Sequence, residues 1–234
     1  MKPLVIISAN GEWRVLKSFY PEARIQQSPF GEYFNVTFDK IRVILFHGGW
    51  GKISAATTAQ YVIDQFKPDL LFNLGTCGGF EGYIERGTII LVEKTIVYDI
   101  FEKMTDGSEE IAFYTTDLDL SWLPRVLPFP VLRGLLVSGD RDILVEDIQM
   151  LIQKYKAVAA DWQSGAIAWV AKKNNVRTLI LRGVTDLVSI NGGEAYGDYE
   201  LFIQRTSKIM KELFDQLPQW LSMIEKVEQA YRGY

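Results

Sequence analysis

The chain has 234 residues, 48% of them hydrophobic, enough apolar material for one sizeable core, and one domain over 1–234 is expected. Its 25 basic and 29 acidic residues are interspersed and leave a formal charge of -4, which excludes the electrostatic footprint of a nucleic-acid binder. Cys77 is the only cysteine and His47 the only histidine, so an intramolecular disulfide and a Cys/His-rich zinc site are excluded, and no metal is expected.

In chain order, Leu4 to Ile7 is the first short apolar run and reads as a buried strand. It is too short for a signal or membrane helix, and a soluble, cytoplasmic protein is expected. Glu12 follows Asn10 and Gly11; it either carries chemistry or is a first-turn glutamate at a helix start. A second strand, Val43 to Phe46, leads into His47-Gly48-Gly49-Trp50-Gly51-Lys52. That segment is either a tight turn or an anion-holding helix start. His47 is an acid or base near pH 7, or a hydrogen-bonded structural residue. Ile53, Ala56, Ala59, Ile63 and Phe66 have helical spacing, and the helix closes at Lys67 and Pro68.

The strand Leu70 to Leu74 runs into Asn73-Leu74-Gly75-Thr76-Cys77-Gly78-Gly79. Its glycines allow close approach to the backbone, although a purely structural turn reads equally well and the spacing is not a dinucleotide fingerprint. After Thr88 to Val92, residues 101–131 form a long excursion carrying Phe101, Ile111, Phe113, Tyr114, Trp122 and Phe129. So much aromatic surface is expected to be covered by a second copy, most simply in a dimer. Leu132 to Val137 is the next strand. Asp161-Trp162-Gln163-Ser164-Gly165 then opens an apolar helix, where Asp161 either caps the helix or joins Gln163 and Trp162 in holding a sugar. Thr178 to Leu181 leads to Arg182-Gly183-Val184-Thr185-Asp186. A carboxylate at the end of a buried strand suits a general acid, with a surface aspartate as the plain alternative. Tyr199 to about Tyr231 reads as a terminal helix kinked at Pro218.

Strand alternating with helix predicts an α/β fold whose ligand lies beyond the carboxyl ends of the strands. Four segments in register carry a resemblance over most of the chain, from Ile6 to about Met210. They are Gly51-Lys52 with its Ala-rich helix, Lys67-Pro68-Asp69 leading to the glycine-rich turn, Gly134 to Asp140, and Arg182 to Asp186. The sequence resembles the purine nucleoside phosphorylase and nucleosidase superfamily, in particular the methylthioadenosine/S-adenosylhomocysteine nucleosidases.

That resemblance implies a three-layer α/β/α fold with a central mixed sheet. It also implies no metal or organic cofactor, and a homo-oligomer with its active site near a subunit interface. It places the acid that protonates purine N7 on Asp186 and the glutamate that activates water on Glu12. The family's serine in the glycine-rich turn falls on Thr76, beside Cys77 and Gly78. Its sugar-binding Glu-Met-Glu falls on Asp161-Trp162-Gln163, an amide replacing the last carboxylate. Where an aromatic residue of the family packs on the base, this sequence reads Arg141-Asp142-Ile143. The implied activity is hydrolytic cleavage of a purine nucleoside, because Asn73 stands where purine phosphorylases have an arginine. The alternatives are phosphorolysis, with Arg14 and Arg182 serving phosphate, and a nucleoside-binding protein without turnover.

Overall fold

The computed structural model describes residues 1–232. Its strands are β1 (Pro3–Ile7), β2 (Gln26–Gln27), β3 (Glu32–Phe38), β4 (Ile41–His47), β5 (Leu70–Phe80), β6 (Ile89–Val97), β7 (Thr116–Asp117), β8 (Leu132–Ser138), β9 (Ala159–Asp161), β10 (Arg177–Ser189) and β11 (Gly192–Gly193). Its helices are α1 (Asn10–Phe19), α2 (Gly51–Phe66), α3 (Ser108–Phe113), α4 (Val145–Tyr155), α5 (Ser164–Lys173) and α6 (Tyr199–Arg232). All the strands belong to one mixed sheet. Part of it closes on itself, because β5, β10, β6, β8 and β9 pair in a ring before β9 returns to β5. From β5 an open arm continues through β1 and β4 to β3 and β2.

Period-two alternation along the buried strands builds the layers. On β1, Val5 and Ile7 face a core with Trp13 and Leu16 of α1 and Met210, Leu213 and Trp220 of α6. Leu4 and Ile6 face the other side, against Ala55, Ala59 and Val62 of α2 and Ile167 and Ala171 of α5. Each such Leu, Ile or Val contributes about 1.5–3 kcal/mol by leaving water, so both faces must be covered, and the architecture is α/β/α. The predicted end of α2 is present: Lys67 takes the left-handed conformation and donates its N–H to Ile63 O before Pro68.

Three expectations change in detail. Residues 101–131 contain α3 and β7, and Trp122 and Phe129 pack against the main core, whereas Phe101, Phe113 and Tyr114 stay exposed. α6 runs through Pro218 without interruption. The helix start at Gly51 does hold an anion, but it is the chain's own: Lys52 N–H donates to Asp140 Oδ1 at 2.7 Å. Among the described residues no helix is long and apolar enough to cross a membrane.

Candidate active site

A cavity of about 780 Å³ opens where β1, β5, β8 and β10 end. Glu12, Thr76, Cys77, Gly78, Asp142, Ile143, Asp161, Trp162, Gln163 and Asp186, named above from five separate stretches of sequence, all line it. The register explains how they meet. Ile6 of β1 and Ile180 of β10 both pair with Asn73 of β5. β1 ends one residue later, while β5 and β10 run on side by side, so the expected glycine-rich turn, Gly75 to Gly79, is instead the second half of β5, its backbone held in the ladder with β10.

Glu12 sits in the first turn of α1 and is almost wholly buried. Its Oε1 accepts the backbone N–H of Thr76 at 2.5 Å and the Thr76 hydroxyl at 2.8 Å, while Oε2 accepts Ala9 N–H at 3.2 Å. Burial pushes its pKa above the ordinary carboxylate value, against the pull of the Arg182 charge and of these hydrogen bonds. Only glycine fits at position 75. A Cβ there would lie 1.9 Å from Arg182 Nη1 and 2.7 Å from Glu12 Oε1, so Gly75 lets a buried cation and a buried carboxylate approach across bare backbone.

Asp186 reaches the cavity through an irregularity in β10. The pairing with β5 shifts register between Val184 and Asp186, and such a bulge re-aims the side chains that follow it. The displaced Thr185 donates its hydroxyl to Asp186 Oδ1 at 2.7 Å. Burial raises the Asp186 pKa, the Thr185 hydrogen bond and Arg205 oppose it, and Glu194 and Asp142 add to it. The cavity thus holds two buried carboxyl groups displaced toward their protonated forms, the condition for proton transfer near neutral pH.

Beneath them lies a buried polar network. Asp161 Oδ1 accepts the Ser138 hydroxyl at 2.6 Å, and Oδ2 accepts the Ser164 hydroxyl at 2.5 Å and pairs with Arg182 Nε at 2.9 Å. Its oxygens also accept the N–H groups of Gln163 and Ser164 at the start of α5. Asp161 borders the cavity with both oxygens engaged by the protein, which favours its capping reading. The fully buried Arg182 also donates to Ser164 Oγ and Asn73 Oδ1, and its Nη1 has no partner among the described residues. Gln163 differs: only 6% of it is exposed, yet its carboxamide has no hydrogen-bond partner among the described residues. It is a nearly buried polar group beside the cavity that is free for a ligand. Trp162 tilts against Trp50, ring centroids 5.8 Å apart, and Ile143 Cδ1 packs over Gly78.

His47 and Asn73 do not line the cavity. His47 stacks on Trp13, and burial lowers its pKa, so it is neutral at pH 7. Asn73 is buried behind Arg182 and donates its amide to Ile6 O at 3.0 Å; it bears on any anion only through Arg182. Arg14 does border the cavity, held by Tyr199 Oη at 2.7 Å. Trp50 and Arg141, which lay in marked segments without a role of their own, also line it, and Tyr196 and Phe202 are lining residues that the sequence left unmarked. A tyrosine set among glycines just after Asp186 was the one available signal for Tyr196.

Comparison with known proteins gives the same frame. A curated relative, the 5'-methylthioadenosine/S-adenosylhomocysteine nucleosidase of Buchnera aphidicola, is 27% identical over 238 residues, covering 93% of this chain and 99% of the relative. The crystal structure of the nucleosidase of that name from Campylobacter jejuni matches with a TM-score of 0.73 at 16% identity, covering 94% of this chain and 99% of that one. The Streptococcus pneumoniae enzyme, solved with a transition-state inhibitor, matches at 0.74 and 19% identity, covering 94% and 100%. Similarity at this level establishes the shared fold. The phosphorylase superfamily model matches residues 3–217, and the chain therefore belongs to the phosphorylase superfamily.

Proposed function

We propose that the protein is an N-ribosyl hydrolase that cleaves the N-glycosidic bond of a purine nucleoside of the 5′-methylthioadenosine/S-adenosylhomocysteine kind, releasing free base and a ribose derivative. The observation that carries this reading is the pair of buried carboxyl groups, Glu12 and Asp186, in one cavity and both held toward protonation by burial. The names of the relatives supply the substrate class. As the bond to ribose breaks, Asp186 donates a proton to purine N7 and the base leaves neutral. Glu12, oriented by Thr76, takes a proton from the attacking water, with the buried charge of Arg182 behind it. Gln163 hydrogen-bonds the ribose hydroxyls, Trp162 packs on the sugar, and Gly78, Ile143 and Asp142 face the base. No cofactor enters these steps.

Arg14, which borders the cavity, also favours a second reading, in which phosphate is the nucleophile, with the fully buried Arg182 adding its charge from behind Glu12. Incubation with 5′-methylthioadenosine, with and without phosphate, separates the two. Base release unchanged by removing phosphate is expected; a requirement for phosphate, with ribose 1-phosphate chemistry in the product, would replace hydrolysis by phosphorolysis. Binding without release would leave a nucleoside-binding protein.

The working unit is a cytoplasmic homodimer on this reading. Trp50, 61% exposed at the cavity edge, together with Ile53, Phe101, Met104 and Phe113, offers apolar surface that a second copy would cover. Light scattering at micromolar concentration should give twice the chain mass, and a monomer would refute the dimer.

A further inference from the structure

The segment after Asp186 folds back on it. Glu194 donates its backbone N–H to Leu187 O at 3.0 Å, and its Oε2 accepts Leu187 N–H at 3.1 Å, so the glutamate grips the residue that follows Asp186 from both sides. The same Oε2 accepts Arg205 Nη1 of α6 at 3.0 Å. Arg205 Nη1 also donates to Thr185 O at 3.3 Å, on the residue preceding Asp186. The two sides of the irregularity that aims Asp186 into the cavity therefore meet at one ion pair. Directly after Glu194, residues Ala195, Tyr196 and Gly197 line the cavity, with Tyr196 Oη donating to Ile143 O at 3.2 Å on the opposite wall.

We infer that Arg205 and Glu194 are positioning residues for Asp186, an ion-pair clamp that fixes the acid-bearing turn of β10 and the cavity wall at 195–197 as one unit. Its catalytic consequence rests on the nucleosidase reading; the clamp itself rests on geometry. The side chains are 21% and 33% exposed, so solvent screens the pair, and its value lies in geometry more than in net stability. The charged and titratable groups facing Asp186 are Arg205 from α6, Glu194 and Tyr196 from the 190–198 segment, Asp142 from the turn after β8 and Cys77 from β5. Arg86 lies against the outer oxygen of Glu194 at 3.6 Å. The two clamp residues act on Asp186 with opposite sign: the cation favours the carboxylate and the glutamate favours the acid.

That opposition gives a test that a merely structural role would not pass. With 5′-methylthioadenosine as the probe, kcat, KM and thermal midpoint are measured across pH for Arg205→Met, Arg205→Lys and Glu194→Gln. The clamp predicts a fall in kcat of about ten- to a hundredfold in Arg205→Met, with KM within about twofold, because the Glu194 N–H and Tyr196 hydroxyl still tie the 195–197 wall to Leu187 and Ile143 while the acid loses its Arg205 support. A general acid works in its protonated form, so activity declines as pH rises through its pKa. This alkaline limb should move up in Arg205→Met, move down in Glu194→Gln and return near its wild-type position in Arg205→Lys. A carboxyl-carbon NMR titration of Asp186 in the free protein, its signal assigned by its loss in Asp186→Asn, reads the same displacements without turnover. Opposite displacements establish the clamp. Coincident titrations, or displacements of one sign that track a lowered thermal midpoint, overturn it. A wild-type protein releasing no base would refute the nucleosidase reading, while the NMR titration would still decide the clamp.

Discussion

Asp186→Asn keeps an oxygen to accept the Thr185 hydroxyl but has no proton to transfer. The fold should survive while kcat falls by about 10²- to 10⁴-fold, the usual worth of a general acid. Base release and thermal unfolding measured on one preparation check this, and a folded variant retaining more than about a tenth of the wild-type rate would send the search for the acid to Asp142. Gln163→Glu tests the neutral amide in the sugar region. A carboxylate accepts stronger hydrogen bonds from ribose hydroxyls and supports a cationic sugar, so kcat/KM should rise up to about tenfold if Gln163 holds the ribose as proposed. At this scale the sequence named the right segments without sorting their chemistry. Asp161, Trp162 and Gln163 are adjacent, yet Asp161 turns into the buried network while Gln163 is left free. That division depends on Ser138 and Arg182 arriving from two other places in the chain to join the neighbouring Ser164.

The glycine-rich end of β5 shows what an element contributes beyond its residues. Gly75→Ala puts a methyl into Arg182 Nη1 and Glu12; neither can withdraw without breaking a buried contact, and overpacking of this kind costs about 1–3 kcal/mol. A lower urea midpoint together with loss of base release is expected, and unchanged values would show that Arg182 and Glu12 can part freely. Elements buried on both faces were legible as continuous apolar runs, as in β1, β4, β6, β8 and β10. β3 was not, since Glu32, Asn35 and Thr37 interrupt its apolar residues where it lies toward the open end of the sheet. β9 has three residues and exists only because β5 and β8 flank it. Nor does any local signal mark the irregularity at Thr185, which sets the direction of Asp186.

For the molecule as a whole, the buried Glu12 should cost stability as the pH rises. Its folded pKa lies above its ordinary value, so the native state binds the proton more tightly than the unfolded chain. Stability then falls as pH rises from the ordinary carboxylate range through the raised folded value, and stays lower above it. Glu12→Gln removes this dependence. Thermal midpoints of wild type and variant should converge at acid pH and separate toward neutrality with the variant higher, while the variant loses turnover; a variant less stable at neutral pH would contradict the buried-charge account. The amino-acid sequence by itself determined the strand and helix alternation, the position of the ligand beyond the strand ends and the segments that meet there. These depend on local periodicity and on glycines and carboxylates that keep fixed places along the chain. Tertiary structure alone decided the closure of the sheet, the burial that displaces Glu12 and Asp186 from their ordinary pKa, and the pairing of Arg182 with Asp161 and of Arg205 with Glu194. Desolvation and ion pairing join residues distant in sequence, and their strength depends on what else packs around them.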